Sequence, residues 1–299
     1  MVRSKSFLTS CCTFSMIREH MPSKQRRNKM NSLKTNLLNY LNNTFLAWLL
    51  LPFASIGIGS ILGAKANSFQ LYPFFLFYFF LLAIGLQEKY LIKKQQGKMI
   101  NPSLLRHLLG VISVVILLLI LVSVNWLAVS LLLLYSLFIY IAHQPLISLE
   151  QTAFYYILQL FFKGLILNLL AFYFQAQFIS ATIVTYLLPV LCFVSILIVV
   201  QQRKMLQIDQ APNHFSRFMY LKFKPIIAGL FLVGSMLAVV VLLINKVSII
   251  IVVIFGLFLI ATLCPLFLTQ IRKQLNKTNY ISLVIFIIIL IYSFILPFF

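Results

Sequence analysis

The chain has 299 residues, 62% hydrophobic and 9% charged, with a mean hydropathy of +1.02. Soluble domains are about one quarter charged, so a water-soluble globule is excluded. The apolar runs are long and unbroken, which excludes a barrel of short alternating strands. The net charge is +20, from 24 Lys and Arg against 4 acids. Those acids, Glu19, Glu88, Glu150 and Asp209, are too scattered to form a carboxylate cluster.

Residues 1–43 form a polar, basic tail containing Lys24-Gln25-Arg26-Arg27-Asn28-Lys29. Such a run attracts anionic headgroups at ~1 kcal/mol per basic residue near the surface. The expectation is a solvated flank, and Met16, Met21 and Met30 could each begin a shorter chain. The apolar stretch Phe7–Ile17 is too brief to span and has no convincing cleavage site. The chain therefore divides into this tail and a membrane domain over residues 44–299.

A hydrocarbon core of ~30 Å needs about 20 helical residues at 1.5 Å rise. Cut at that length, the apolar runs predict an all-α bundle of nine transmembrane helices. They fall near Thr44–Ala64, Leu71–Leu86, Leu104–Val124, Trp126–Ala142, Thr152–Phe174, Ile179–Val200, Pro225–Leu243, Val247–Gln270 and Ile281–Phe298. Only Ser123-Val124-Asn125 joins the third to the fourth.

Basic residues crowd onto one side of that map. The tail, the loop after span two with the foot of span three (Lys89, Lys93, Lys94, Lys98, Arg106), the loop after span six (Arg203, Lys204, Arg217, Lys222, Lys224) and the loop after span eight (Arg272, Lys273, Lys277) share one face. The other face has Lys65 and Lys246. Cytoplasmic loops accumulate Lys and Arg, so the expectation is a multi-pass cell-membrane protein with its N-terminus in the cytoplasm and its C-terminus outside. The same bias accounts for the positive charge without nucleic acid as a partner. Cys11, Cys12, Cys192 and Cys264 have neither disulfide-framework nor zinc spacing and read as small hydrophobes.

Lys163 is the one basic residue well inside a span, where a charge costs roughly 3 kcal/mol on insertion scales. A functional role and a polar bundle interior both fit it, and Asn168 lies five residues on. His107 and His143 are single interfacial histidines without a ligand partner at metal spacing, and read as structural. Gly59-x-x-x-Gly63 permits close helix approach.

The loops after spans two and six, Gly85–Lys98 and Val200–Asn213, are larger and more polar than the rest, four helices apart. This plan resembles the UbiA-type intramembrane prenyltransferases, and among them is similar to the 1,4-dihydroxy-2-naphthoate prenyltransferases of menaquinone synthesis. The pattern Asn-Asn-x-Arg-Asp-x-x-x-Asp of that family falls on Gln201, Gln202, Lys204, Met205 and Asp209. Tyr186-Leu187-Leu188-Pro189-Val190, Phe161-Phe162-Lys163-Gly164, Tyr173-Phe174-Gln175 and Leu50-Leu51-Pro52 running to Gly57, Gly59 and Gly63 carry the likeness. It covers roughly Tyr40 to Asp209, and the last three spans by count.

The resemblance implies transfer of a polyprenyl group from its diphosphate to an aromatic acceptor, with Mg²⁺ held by carboxylates one helical turn apart. Here Met205 stands for one of those aspartates, and Tyr90 and Lys93, or Leu91, for others. Glu88 and Asp209 are the acids left as magnesium ligands, so a full two-motif metal site is not expected. Lys89, Lys93, Lys94 and Lys204 are candidates to hold a lipid diphosphate directly as point charges. The expected partners are a polyprenyl diphosphate or quinone-like lipid and the membrane lipids. The expected activity is that of a divergent or impaired prenyltransferase. The rival expectation is a non-enzymatic polytopic protein, a transporter or assembly factor.

Overall fold

A computed structural model describes residues 44–95, 103–144, 149, 152–206, 214–267 and 277–297. The described residues are all-helical. In order the elements are α1 (Thr44–Ala66), α2 (Leu71–Gln95), α3 (Ser103–Ser123), α4 (Trp126–Ala142), α5 (Ala153–Leu160), a π-helical turn (Phe161–Ile166), α6 (Leu167–Ala176), α7 (Ala181–Leu206), α8 (His214–Leu221), α9 (Phe223–Ile244), α10 (Ile249–Phe267) and α11 (Lys277–Ile295). Four rods are long and apolar enough to cross a membrane: Leu71–Ile92, Ala153–Ala176, Ala181–Arg203 and Phe223–Ile244. The tail 1–43 lies outside the described residues.

Local signals set several of the helix ends. Asn125 caps α4 in an extended conformation, its Oδ1 accepting from Leu127 N, so α3 and α4 reverse within two residues. Thr152 caps α5 by accepting from Tyr155 N at 3.2 Å. Gln177 closes α6 in the left-handed region, φ 63°, its N–H donating to Tyr173 O at 2.8 Å. Pro52 and Pro189 sit inside α1 and α7, as membrane helices allow where neighbours re-satisfy the freed carbonyls.

Two expected boundaries are corrected. The segments read as loops after spans two and six are helical through Gln95 and Leu206, so Glu88, Lys89, Gln201 and Lys204 ride on helices. Leaving the apolar layer does not end a helix, and Leu, Gln, Glu and Lys are all good helix formers. The short helix α8 was not anticipated.

Lipid tails are as apolar as Leu, so these helices associate by close packing and polar bonds rather than by burial from water. The tightest crossing is α1 on α6. A Cβ on Gly59 would run into the Asn168 carbonyl oxygen, and one on Gly63 would lie 2.6 Å from Gln175 Cβ. The paired helices separate two apolar cores. One, with Phe77, Phe80, Ile120, Leu132 and Tyr135, is built by α2, α3 and α4 against Ile56 and Leu170. The other, with Val190, Phe193, Phe255, Ile288 and Tyr292, is built by α7, α9, α10 and α11 against Ile58 and Phe172.

Polar bonds tie one end of this bundle together. Lys65 Nζ donates to Ser293 O at 3.1 Å and Phe294 O at 2.8 Å, and also to Leu296 O, satisfying carbonyls at the C-terminus of α11. Gln70 N donates to Gln175 Oε1 at 2.7 Å, Asn125 Nδ2 to Tyr173 Oη at 3.3 Å, and Tyr186 Oη to Asn245 Oδ1 at 2.8 Å. At the opposite end Tyr280 Oη donates to Thr262 O at 2.9 Å. Consecutive long rods thus run in opposite directions.

Candidate functional site

The candidate site begins with the spacing of three polar residues. Tyr155, Gln159 and Lys163 are four apart, so they share one face of the rod that runs from α5 into the π turn. That face meets α2 where it carries Glu88, which is 4% exposed. Tyr155 Oη donates to Glu88 Oε1 at 3.2 Å, and Gln159 Nε2 donates to the same oxygen at 3.2 Å and to Tyr155 Oη at 2.7 Å. From α7, Gln201 Nε2 donates to Glu88 Oε1 at 3.4 Å. Lys163 Nζ approaches Glu88 Oε2 at 3.5 Å, and both side chains are buried. His143 Nε2 lies 3.4 Å from Tyr155 Oη and 4.0 Å from Glu88 Oε1. A hydroxyl carries one proton, so with that proton on Glu88 the imidazole Nε2 is the donor to Tyr155.

The π turn is what aims Lys163. A π turn adds a residue to the local repeat and leaves carbonyls poorly matched to the ladder. Asn168 collects them, its Nδ2 donating to Gly164 O at 3.2 Å and to Lys163 O at 3.5 Å. Its Oδ1 accepts from Gly59 N at 3.4 Å. Asn168, 0% exposed, links the π turn to the α1–α6 crossing.

A small cleft of about 50 Å³ opens beside the cluster, lined by Ser55, Glu88, Lys89, Tyr135, Lys163 and Gln201 among others. It is water-sized. Lys89 is exposed on α2 and lines this cleft. Lys93, Lys94 and Lys204 lie on α2 and α7, but their side chains, and all of Asp209, are outside the described residues.

Glu88 is thus the one member of the expected magnesium pair that the structure describes. Its Oε1 already accepts three hydrogen bonds and its Oε2 faces Lys163. Mg²⁺ takes six oxygens in near-octahedral geometry, so Glu88 by itself does not make such a site. Among the described residues no three His, Cys, Asp or Glu side chains group as metal ligands. What the cluster does chemically is hold a carboxylate and an ammonium together at low dielectric, with Tyr155, Gln159 and Gln201 all donating to Glu88.

Three participants escaped the sequence reading. His143 was read as structural, with no metal partner at ligand spacing, and Tyr155 and Gln159 were not singled out. The four-residue spacing through Lys163 is the signal that finds the last two. Compared with protein-family models, curated proteins and solved structures, the chain matches none.

Proposed function

We propose that this chain is a nine-span membrane protein of the intramembrane-prenyltransferase type that binds a polyprenyl diphosphate between the ends of α2 and α7. One observation carries the reading: Gln201 Nε2 reaches Glu88 Oε1 at 3.4 Å, joining the two polar helix ends that the resemblance marks as one site. The diphosphate sits above the Glu88–Lys163 pair. Lys89, Lys93, Lys94 and Lys204 hold it as point charges, with Glu88 and Asp209 as the residual acids. Prenyl transfer to an aromatic acceptor in quinone synthesis is the family-level activity, weakened here by the replaced aspartates.

The polar contacts support the topology. Lys65 at the end of α1 meets the end of α11, as an up-and-down chain of nine crossings requires, and the excess of basic residues puts the opposite end in the cytoplasm of a cell-membrane protein. A second reading, an intramembrane transporter, draws on the Glu88–Lys163 pair, since paired charges within spans mark ion and proton pathways.

The test is farnesyl diphosphate binding to purified protein in nanodiscs, with Mg²⁺ or with EDTA, for the wild type and Asp209→Asn. Binding that persists in EDTA is expected. Binding that needs Mg²⁺ and is lost in Asp209→Asn would replace the ammonium-held site by a reduced metal site. The absence of binding in every condition would move the transporter reading ahead.

A further inference from the structure

We infer that the face of α7 turned away from Glu88 holds a second site, a groove that takes one acyl chain of an anionic bilayer phospholipid. Gln201 and Arg203 are two residues apart on a helix, so they point to opposite sides. Arg203 turns toward α9, its guanidinium carbon 4.0 Å from the Phe223 ring centroid and 5.7 Å from that of Tyr220. Beside it begins a groove of about 1110 Å³ between α7, α9, α10 and α11.

Its walls are apolar, with Ile196, Phe231, Met236 and Ile260, and its mouth carries Arg203 and Lys224. From Lys224 to Val240 along α9 the wall is ~24 Å long at 1.5 Å per residue, against ~15 Å for half of a hydrocarbon core. A whole acyl chain fits within it. Gly256 lines the groove, and a Cβ there would meet nothing within 4 Å. Two buried polar atoms of the lining, Arg203 Nε and Ser235 Oγ, have no hydrogen-bond partner among the described residues.

Charge complementarity selects the occupant. Arg203 and Lys224 are cations at the mouth of an apolar slot, and among the described residues no acid lines it. Arg203 already stacks on Phe223, which leaves its planar fork to a phosphate in the bidentate geometry that guanidinium favours. Both cations were read from sequence as ordinary loop charge, and their common placement at one groove is what the fold adds.

The experiment is native mass spectrometry of the delipidated full chain, titrated with dioleoyl phosphatidylglycerol or dioleoyl phosphatidylcholine. The expected result is about tenfold tighter binding of the anionic lipid at moderate salt, lost when Arg203→Gln and Lys224→Gln are combined. Gly256→Leu, which fills open space, lowers binding of both lipids while leaving the lipid-free melting temperature unchanged. Equal affinity for the two lipids overturns the inference, as does a phosphatidylglycerol preference that survives all three substitutions. A lipid-free dimer broken by Gly256→Leu also overturns it, and assigns the groove to a second copy of the chain.

Discussion

Lys163 on the π turn and Glu88 on α2 form a buried ion pair, Nζ to Oε2 3.5 Å, across 75 residues of sequence. Each charge makes the other tolerable inside the bundle. Taking one away leaves the other without its counter-charge at low dielectric, which costs more than the intact pair contributes. Lys163→Met is therefore expected to destabilise the protein by about 3–5 kcal/mol. Adding Glu88→Gln removes the orphaned charge but keeps an oxygen for the Tyr155, Gln159 and Gln201 donors, and recovers most of that loss. Unfolding of both variants in matched detergent checks this, and equal destabilisation by the single and the double variant would refute the pairing.

The α1–α6 crossing separates two glycines of the same helix. Gly59→Ala drives a methyl group into the Asn168 carbonyl and is expected to cost about 1–3 kcal/mol through overpacking. Gly57→Ala meets nothing within 4 Å and is expected to be neutral or to gain up to ~1 kcal/mol of helix propensity. Thermal melts of the two variants side by side give the comparison.

Asn168 couples that crossing to the site. Asn168→Leu strands the carbonyls of Lys163 and Gly164, at a cost of about 1–3 kcal/mol. It also releases the π turn that aims Lys163 at Glu88. The losses from Asn168→Leu and Lys163→Met should therefore be less than additive in a double-mutant cycle. Strict additivity within ~0.5 kcal/mol would mean that Asn168 acts only on the helix crossing.

Lys65 gathers carbonyls at the C-terminal end of α11. Lys65→Gln is expected to cost about 0.3–1 kcal/mol, as for loss of a cation at a helix C-terminus. The effect should be local, with faster amide hydrogen exchange confined to the last turn of α11 and its neighbours on α1. Exchange that rises evenly through the bundle would argue against a capping role.

Hydropathy alone located the long rods, because the length of an apolar run reflects the thickness of the layer it fills. A close approach by some helix to α1 was legible too, in Gly59-x-x-x-Gly63, but not that α6 makes it. The ends of α2 and α7 were not, since a hydropathy cut marks where the apolar layer stops and not where the hydrogen-bond ladder stops. Tyr155, Gln159 and Lys163 announce a polar face at intervals of four. Their partner Glu88 comes from another helix, and periodicity within one segment carries no information about which helix lies opposite. The π turn at Phe161–Ile166 has no composition of its own and becomes visible through the bonds that Asn168 makes to it.

The proposed function puts a diphosphate-bearing isoprenoid where α2 and α7 meet. Photo-crosslinking with a diazirine-tagged farnesyl diphosphate, with adducts mapped by mass spectrometry, tests it most directly. Adducts are expected on α2 around Gly85–Lys89 and on α7 around Ile198–Gln201, competed by untagged farnesyl diphosphate and not by farnesol. Adducts confined to the α9–α10 groove, or competed equally by farnesol, would contradict it.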